Sequence, residues 1–228
     1  MAKNSNPILK SWKLNAKKWI KTIENNEIES RNLVTNTAIL QTILAQQPKT
    51  VLDIGCGEGW LVNTLVKHKI TVVGIDATTK LIKAAKRKGK GKFKVKDYDA
   101  IIKGVRFKAA PFDLISINFA LFENRKTAQL IKKLPDYLAP NGKIIIQTLH
   151  PFSIATAEEY KSAWRKDSWG GLKRKFTQSY KWYFRTLADW VKLFTKAGLV
   201  LEAMREPLHP KTGRPASIVF ILQVDSKK

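Results

Sequence analysis

The chain has 228 residues, a single cysteine and a formal net charge of +24. One cysteine excludes an internal disulfide framework and a zinc site built from several thiolates. No apolar run approaches the roughly 20 residues of a membrane span, and the first residues lack the hydrophobic core of a signal peptide, so we expect a cytoplasmic protein. The positive charge favours an anionic partner, of which RNA is the obvious candidate.

An amphipathic helix is predicted near the start of the chain. Apolar residues recur there at helical spacing, at Leu9, Trp12, Ala16, Trp19 and Ile23. The rest of the helix is basic. About residues 1–35 are therefore predicted to form a helical lid over a site or to pack on a sheet.

The most informative segment is V-L-D-I-G-C-G-E-G-W, residues 51–60. A predicted apolar strand ends near Asp53 and is followed by a turn with three alternating glycines, Gly55, Gly57 and Gly59. Because glycine has no side chain, the backbone of this turn can come close to a ligand. The dinucleotide fingerprint is G-x-G-x-x-G, whereas this turn reads G-x-G-x-G behind a carboxylate. That carboxylate would repel a pyrophosphate but not a ligand with ammonium and sulfonium centres.

Three later segments place polar or aromatic residues at predicted strand ends. The carboxyl ends of strands collect the ligand in such folds, so these residues are expected at one site. An acidic residue about twenty residues after the glycines is expected to accept hydrogen bonds from the hydroxyl groups of a ribose. The segments are residues 71–75 before Asp76, residues 93–98 with Asp97 and Tyr98, and residues 111–119 with Asn118 and Phe119.

In these features the chain resembles a class I S-adenosylmethionine-dependent methyltransferase, whose first motif has the form D-x-G-x-G-x-G. The resemblance implies S-adenosyl-L-methionine as cofactor and S-adenosyl-L-homocysteine as product. It also implies that Asp97 lies near the adenine and that Arg31 reaches the carboxylate of the methyl donor. The predicted cofactor-binding residues are Arg31, Asp53, Gly55, Cys56, Gly57, Asp76, Ala77, Asp97, Tyr98, Asn118 and Phe119.

The remaining elements complete the same architecture. A helix is predicted over residues 126–138, a fifth strand over residues 143–149, and a helix over residues 186–197 with Thr186 and Asp189 as a capping box. Residues 199–205 and 216–224 are predicted to form a closing hairpin. The resemblance implies one domain over residues 1–228, an α/β fold with a Rossmann-like seven-stranded sheet, mostly parallel with one antiparallel strand, and helices on both faces.

Lysines are dense in residues 80–96. Lys80, Lys83 and Lys86 share one face of a predicted helix, which is what an amphipathic helix presents to water. Lysines on the following strand would discourage edge-to-edge pairing if that strand lies at the sheet edge. A groove that binds nucleic acid is the alternative interpretation.

The segment between the fifth and sixth strands, about residues 150–185, is rich in aromatic and basic residues. Its position favours an aromatic cap that forms a dry pocket for an acceptor. Stacking of nucleic-acid bases and a plain subdomain core are the alternatives.

Two residues are predicted to have catalytic roles. His150 ends the fifth strand in L-H-P-F and is the candidate general base, although a histidine beside proline often hydrogen-bonds a turn instead. Tyr183, together with Arg185, is a candidate for orienting an acceptor hydroxyl or carboxylate. No spacing of metal ligands is found, so metal-free catalysis is expected.

The sequence therefore favours methyl transfer to a small-molecule acceptor by in-line displacement. An RNA methyltransferase that uses the basic surface is the first alternative, and a cofactor-binding protein without transferase activity is the second. The acceptor and the oligomeric state are not indicated by the sequence.

Overall fold

The computed structural model describes residues 6–155, 159–166 and 169–225. The helices and strands follow in chain order: α1 (Pro7–Glu24), a π-helical turn (Arg31–Thr35), α2 (Asn36–Leu44), β1 (Thr50–Ile54), α3 (Trp60–Lys67), β2 (Thr71–Asp76), α4 (Thr79–Lys88), β3 (Lys92–Val95), α5 (Tyr98–Ile102), β4 (Phe112–Asn118), α6 (Arg125–Lys133), a 3₁₀ turn (Leu134–Tyr137), β5 (Leu138–Thr148), α7 (Pro151–Ile154), β6 (Ala163–Arg165), β7 (Trp182–Phe184), α8 (Leu187–Lys196), β8 (Leu199–Arg205) and β9 (Ile218–Val224).

Seven of the strands form one sheet in the order β3-β2-β1-β4-β5-β9-β8. The first five are parallel to one another, whereas β9 is antiparallel to both of its neighbours. The predicted fold class is thus confirmed. In the part of the chain that the structure describes, β6 and β7 lie outside this sheet and pair with each other.

Strand β1 lies at the centre of the sheet and is covered on both faces. Leu52 and Ile54 belong to one buried apolar cluster and Val51 to another. Because successive side chains of a strand alternate between faces, the two clusters lie on opposite sides of the sheet. Asp53 is only 2% exposed. A carboxyl group in such a place is costly unless it is paired or protonated, and this points to a functional role.

The predicted third strand is shorter than the sequence indicated. It ends at Val95, and Asp97 instead begins α5 by accepting a hydrogen bond from the backbone N–H of Ala100 at 3.0 Å. A carboxylate at this position satisfies a free N–H group of the first helical turn, and this favours the helix over two more strand residues. Asp97 still lies at the carboxyl end of the sheet.

The lysine-rich segment forms the outer surface of this side of the molecule. In α4, Leu81, Ala84 and Ala85 are buried, whereas Lys80 and Lys83 are exposed. Strand β3 lies at the sheet edge, as expected.

Helix α1 packs against the aromatic segment that precedes β7. The rings of Trp12 and Trp169 lie 4.8 Å apart between centroids, and Trp169 Nε1 donates a hydrogen bond to Ser11 Oγ at 3.0 Å. The buried side chain of Asn15 accepts from the backbone N–H of Thr177 at 3.0 Å and donates to its carbonyl oxygen at 2.5 Å. Two segments far apart in the chain are thus joined by both ring packing and hydrogen bonds.

The start of α8 differs from a simple capping box. Thr186 Oγ1 accepts from the backbone N–H of Asp189 at 3.2 Å, as predicted. The reciprocal bond passes through Ser162, whose hydroxyl donates to the Asp189 carboxylate and accepts from the backbone N–H of Thr186. This cap therefore also ties the aromatic segment to α8.

Across the described ranges, the helices are too short or too polar to cross a membrane.

Candidate functional site

A cavity of about 470 Å³ opens at the carboxyl ends of the central parallel strands. Every predicted cofactor-binding residue lies on its wall: Arg31, Asp53, Gly55, Cys56, Gly57, Asp76, Ala77, Asp97, Tyr98, Asn118 and Phe119. Its volume is typical of a pocket that buries a small organic ligand. We call the end with these residues the donor half, and the end lined by α1 and the aromatic segment the acceptor half.

The glycines of the turn after β1 have different surroundings. Gly55 has φ +78°, and a Cβ there would lie 2.5 Å from Ala120 Cβ. A Cβ on Gly59 would lie 2.7 Å from Ala85 Cβ, so this glycine lets α3 pack on α4. Gly57 has φ +57°, and the nearest atom to its Cβ position is Trp19 Nε1 at 4.0 Å. Gly57 therefore leaves open the space into which a ligand would come.

Asp76 is held at the end of β2 by the backbone. Its carboxylate oxygens accept from the N–H of Thr78 at 2.7 Å and of Gly57 at 3.2 Å. Burial raises the pKa of Asp76 to about 6, the hydrogen bonds act in the other direction, and the nearby charge of Glu58 raises it further. The carboxylate is thus fixed in orientation and ready to pair with hydrogen-bond donors.

Asp53 lies beneath the same turn. One of its oxygens accepts from the hydroxyl of Ser116 on β4 at 2.7 Å. Burial raises the pKa of Asp53 to about 7, and the charges of Asp76 and Glu58 add to the rise. This cluster of acidic groups would bind a cation well, because a cation restores the charged form of each carboxyl group.

Sequence reasoning missed Glu58. It is 2% exposed, its Oε1 lies 3.4 Å from Arg31 Nη2, and its Oε2 accepts from Trp19 Nε1 at 3.2 Å. Arg31 also lies over the ring of Trp60, and burial lowers the pKa of its guanidinium while Glu58 opposes that effect. The available signal was an acidic residue inside the glycine turn, between Gly57 and Gly59.

The other predicted residues form the rim of the donor half. The hydroxyl of Tyr98 donates to the carbonyl oxygen of Ala120, and Asn118 Oδ1 accepts from Gln147 Nε2 at 2.9 Å. Phe119 has a left-handed φ of 48°. Burial raises the pKa of the Cys56 thiol well above its usual value, which disfavours the reactive thiolate form. Cys56 therefore serves as a small buried side chain of the turn.

The acceptor half has aromatic walls and few polar groups. Its lining rings are those of Trp12, Phe122, Trp169, Tyr180 and Trp182. Trp12 Nε1 donates to the hydroxyl of Tyr180 at 3.1 Å, which joins α1 to the aromatic segment at the cavity wall. The amide of Asn6 donates to the carboxylate of Glu123 nearby.

His150 and Tyr183 do not line this cavity. His150 follows the end of β5 and is buried, with Nε2 at 2.6 Å from Glu206 Oε1 in the loop between β8 and β9. The ring of Tyr183 packs on Trp164, and its backbone N–H donates to the carbonyl oxygen of Phe122 at 2.9 Å. Neither side chain therefore lies on the wall of the cavity, and the catalytic roles of His150 and Tyr183 stay predictions.

The side chain of Arg185 binds backbone carbonyl groups and does not line the cavity. It is 5% exposed, and its Nη2 donates to the carbonyl oxygens of Glu123 at 2.8 Å and Asn124 at 2.9 Å. Burial lowers the pKa of this guanidinium to about 10. The residue therefore fixes the loop after β4, which carries Phe122 and Glu123 to the acceptor half.

Solved structures of low sequence identity share this fold. A S-adenosylmethionine-dependent methyltransferase from Mesorhizobium loti superposes with a TM-score of 0.62 at 20% identity, covering 81% of this chain and 95% of that one. A glycopeptide N-methyltransferase in complex with S-adenosyl-L-methionine gives 0.60 at 13% identity, covering 82% and 93%.

Sequence comparison identifies the family. An uncharacterized methyltransferase of Schizosaccharomyces pombe is 24% identical over 178 residues, which cover 75% of this chain and 67% of that protein. A ubiquinone biosynthesis O-methyltransferase of Xylella fastidiosa is 31% identical over 161 residues, covering 67% and 61%. A malonyl-[acyl-carrier protein] O-methyltransferase of Halalkalibacterium halodurans is 29% identical over 110 residues, covering 46% and 41%, so the match spans less than half of that relative.

Residues 29–203 match the family model described as a methyltransferase domain, and this range contains the complete glycine turn and the first five strands of the sheet. Together with the fold, this match confirms the predicted membership. The chain belongs to the methyltransferase domain family, among the class I S-adenosylmethionine-dependent methyltransferases.

Proposed function

We propose that the chain transfers the methyl group of S-adenosyl-L-methionine to a small-molecule acceptor by in-line displacement and without a metal ion. The observation that supports this most directly is that one cavity of about 470 Å³ contains both the acidic glycine turn and the aromatic acceptor half. A donor and an acceptor bound in this one cavity would be close to each other, and their alignment would supply much of the rate acceleration.

The residues present fit the proposed cofactor. The opening at Gly57 gives the room that a close ligand needs, and the buried carboxyl groups of Asp53 and Asp76 suit a ligand with positive centres. We propose that Asp76 binds the ribose hydroxyls, that Arg31 faces the methionine carboxylate and that Asp97 and Tyr98 lie against the adenosine. When bound, S-adenosyl-L-methionine supplies a methyl group activated by its sulfonium sulfur. The protein aligns the acceptor and excludes water.

Asp76→Ala is expected to weaken binding of S-adenosyl-L-homocysteine by roughly 1–3 kcal/mol, because the ribose hydroxyls lose their acceptor in a buried site. Isothermal titration calorimetry would measure this change. Asp136→Ala removes a carboxylate outside the cavity and serves as the control. Equal affinities of wild type and Asp76→Ala would contradict the proposed role.

A second function is favoured by the exposed lysines of α1 and α4. The two helices pack against each other, with Lys88 Nζ 3.1 Å from Glu24 Oε1, and both expose lysines to solvent. Such a surface suits a phosphate backbone, which would make RNA the acceptor.

Transfer of labelled methyl groups separates these functions. Wild-type protein, labelled S-adenosyl-L-methionine and cell extract are incubated, and the label is followed in low-molecular-weight and RNA fractions before and after ribonuclease. The proposed function predicts ribonuclease-resistant label of low molecular weight. Label found only in RNA would establish the second function, and donor binding without transfer to any fraction would indicate a cofactor-binding protein without transferase activity.

A further inference from the structure

The cavity is acidic although the protein is strongly basic. Among the residues that the structure describes, six carboxylates and three basic side chains lie on its wall: Asp53, Glu58, Asp76, Asp97, Asp99, Glu123, Arg31, Lys96 and Lys126. The net charge of the whole chain is +24. The negative character of the wall is therefore local and opposed to the charge of the rest of the molecule.

Most of these charges already have partners. Arg31 pairs with Glu58, Lys126 pairs with Asp99, and Asp97 caps α5. Asp53 and Asp76 belong to the donor half, beside the glycine turn. Lys96 directly precedes Asp97 and lies at the same end.

Among the described residues, Glu123 supplies a carboxylate to the acceptor half. Its side chain accepts a hydrogen bond from the amide of Asn6, and no ion pair within residues 6–155, 159–166 and 169–225 includes it. The loop that carries it is held by Arg185 through two carbonyl oxygens and by the backbone N–H of Tyr183. The backbone position of Glu123 is therefore fixed by the fold.

Aromatic rings line the same cavity wall as Glu123. Trp12 and Phe122 stack with ring centroids 6.3 Å apart, and Phe122 meets Tyr180 edge to face at 6.0 Å. Aromatic rings attract an ammonium group through their quadrupoles, and a half-buried carboxylate on the same cavity wall adds to that attraction. An acceptor carboxylate would instead meet Glu123, while Lys126, a basic side chain on the cavity wall, is already paired with Asp99.

Building on the proposed function, we infer that the acceptor is an amine, whose ammonium form binds at Glu123 between the aromatic side chains of the acceptor half. Methylation then occurs on this nitrogen. The ammonium first loses one proton to the Glu123 carboxylate, which releases it to solvent. The nitrogen lone pair forms the new N–C bond while the S–C bond of the donor breaks, and the sulfur keeps that electron pair.

The test compares matched ligands that differ only in charge. A panel of aryl-alkyl amines, each with its alcohol isostere, is titrated into the protein saturated with S-adenosyl-L-homocysteine, and binding is followed by calorimetry. We expect at least one amine to bind ten-fold or more tightly than its alcohol. In Glu123→Gln this preference should fall at least ten-fold, because the amide keeps the size and the acceptor for Asn6 but loses the charge.

Glu202→Gln is the matched control, since this glutamate lies on β8 outside the cavity and pairs with Lys143. It should retain the full preference for amines. A panel in which no amine is preferred, or an unchanged preference in Glu123→Gln, would overturn the inference while binding of S-adenosyl-L-homocysteine is intact. Failure of S-adenosyl-L-homocysteine itself to bind would instead refute the proposed function.

Discussion

Gly57→Val is expected to abolish binding of S-adenosyl-L-methionine. The Cβ position of Gly57 points into open space, with its nearest neighbour 4.0 Å away, and this space is the expected approach of the ligand. Valine would fill it, and its branched side chain also disfavours the left-handed φ of 57° found there. Wild-type protein should gain about 2.7 kcal/mol of stability at a ligand concentration of one hundred times Kd. In a thermal-shift measurement the variant should gain none.

Gly104→Val controls for backbone strain. Gly104 has φ +78° with no atom within 4 Å of its Cβ position, and it lies in an exposed loop away from the cavity. Both variants should lose a similar stability, on the order of 1–2 kcal/mol. The control should still show the full shift with the donor. A wild-type shift in Gly57→Val would show that the ligand does not approach this turn.

Asp53→Asn is expected to stabilise the donor-free protein and to weaken donor binding at the same time. Burial raises the pKa of Asp53 from 3.8 to about 7, so the ionised form is unfavourable in the folded state without a cation. Asn keeps an acceptor for the Ser116 hydroxyl but carries no charge. At pH 8 the gain in unfolding free energy should be on the order of 4 kcal/mol.

The sign of the pH dependence follows from the raised pKa. A carboxyl group whose pKa is raised on folding stabilises the protein fully below pH 4, and this stabilisation is lost as the pH rises to about 7. The difference between wild type and Asp53→Asn should therefore be close to zero at pH 4 and largest above pH 7. Denaturant unfolding at a series of pH values would measure it, and calorimetry at pH 8 should show at least ten-fold weaker donor binding.

Asp113→Asn gives the opposite expectation and serves as the control. Although partial burial acts in the other direction, hydrogen bonds from the backbone N–H groups of Thr50 and Lys49 lower the pKa of Asp113. Its carboxylate therefore stabilises the fold above its usual pKa, and its replacement should cost stability at neutral pH. Donor affinity should not change. Destabilisation of Asp53→Asn at pH 8 would contradict the account of a strained buried carboxyl group.

The donor half was predictable from local sequence because its residues follow directly from strand ends and glycines. Asp53, Gly57 and Asp76 each occupy a position set by the first two strands, and parallel strands must end at one edge. Glu58 escaped prediction since its burial depends on Arg31 and on Trp19 of α1, residues far away in the chain.

The acceptor half depends on contacts between distant segments and was only partly predictable. The abundance of aromatic residues indicated a cap. The packing of α1 against Trp169 and the hydrogen bonds of Arg185 to carbonyl oxygens, however, join residues that are far apart in the chain, and local sequence does not reveal such contacts. His150 illustrates the same limit. The chain turns directly after β5, and the imidazole meets Glu206 from the closing hairpin, a partner that strand position alone does not reveal.

The antiparallel direction of β9 has a practical consequence for experiments on this enzyme. Ile218 pairs with Thr148 at the end of β5 near the cavity, whereas Gln223 pairs with Lys143 at the opposite edge of the sheet. The chain thus leaves the sheet on the side away from the active site, while α1 forms part of the cavity wall. Fluorescent labels or surface tethers attached at Asp225 should leave the cavity accessible, whereas the same groups attached at Asn6, which lies on the cavity wall, should obstruct it.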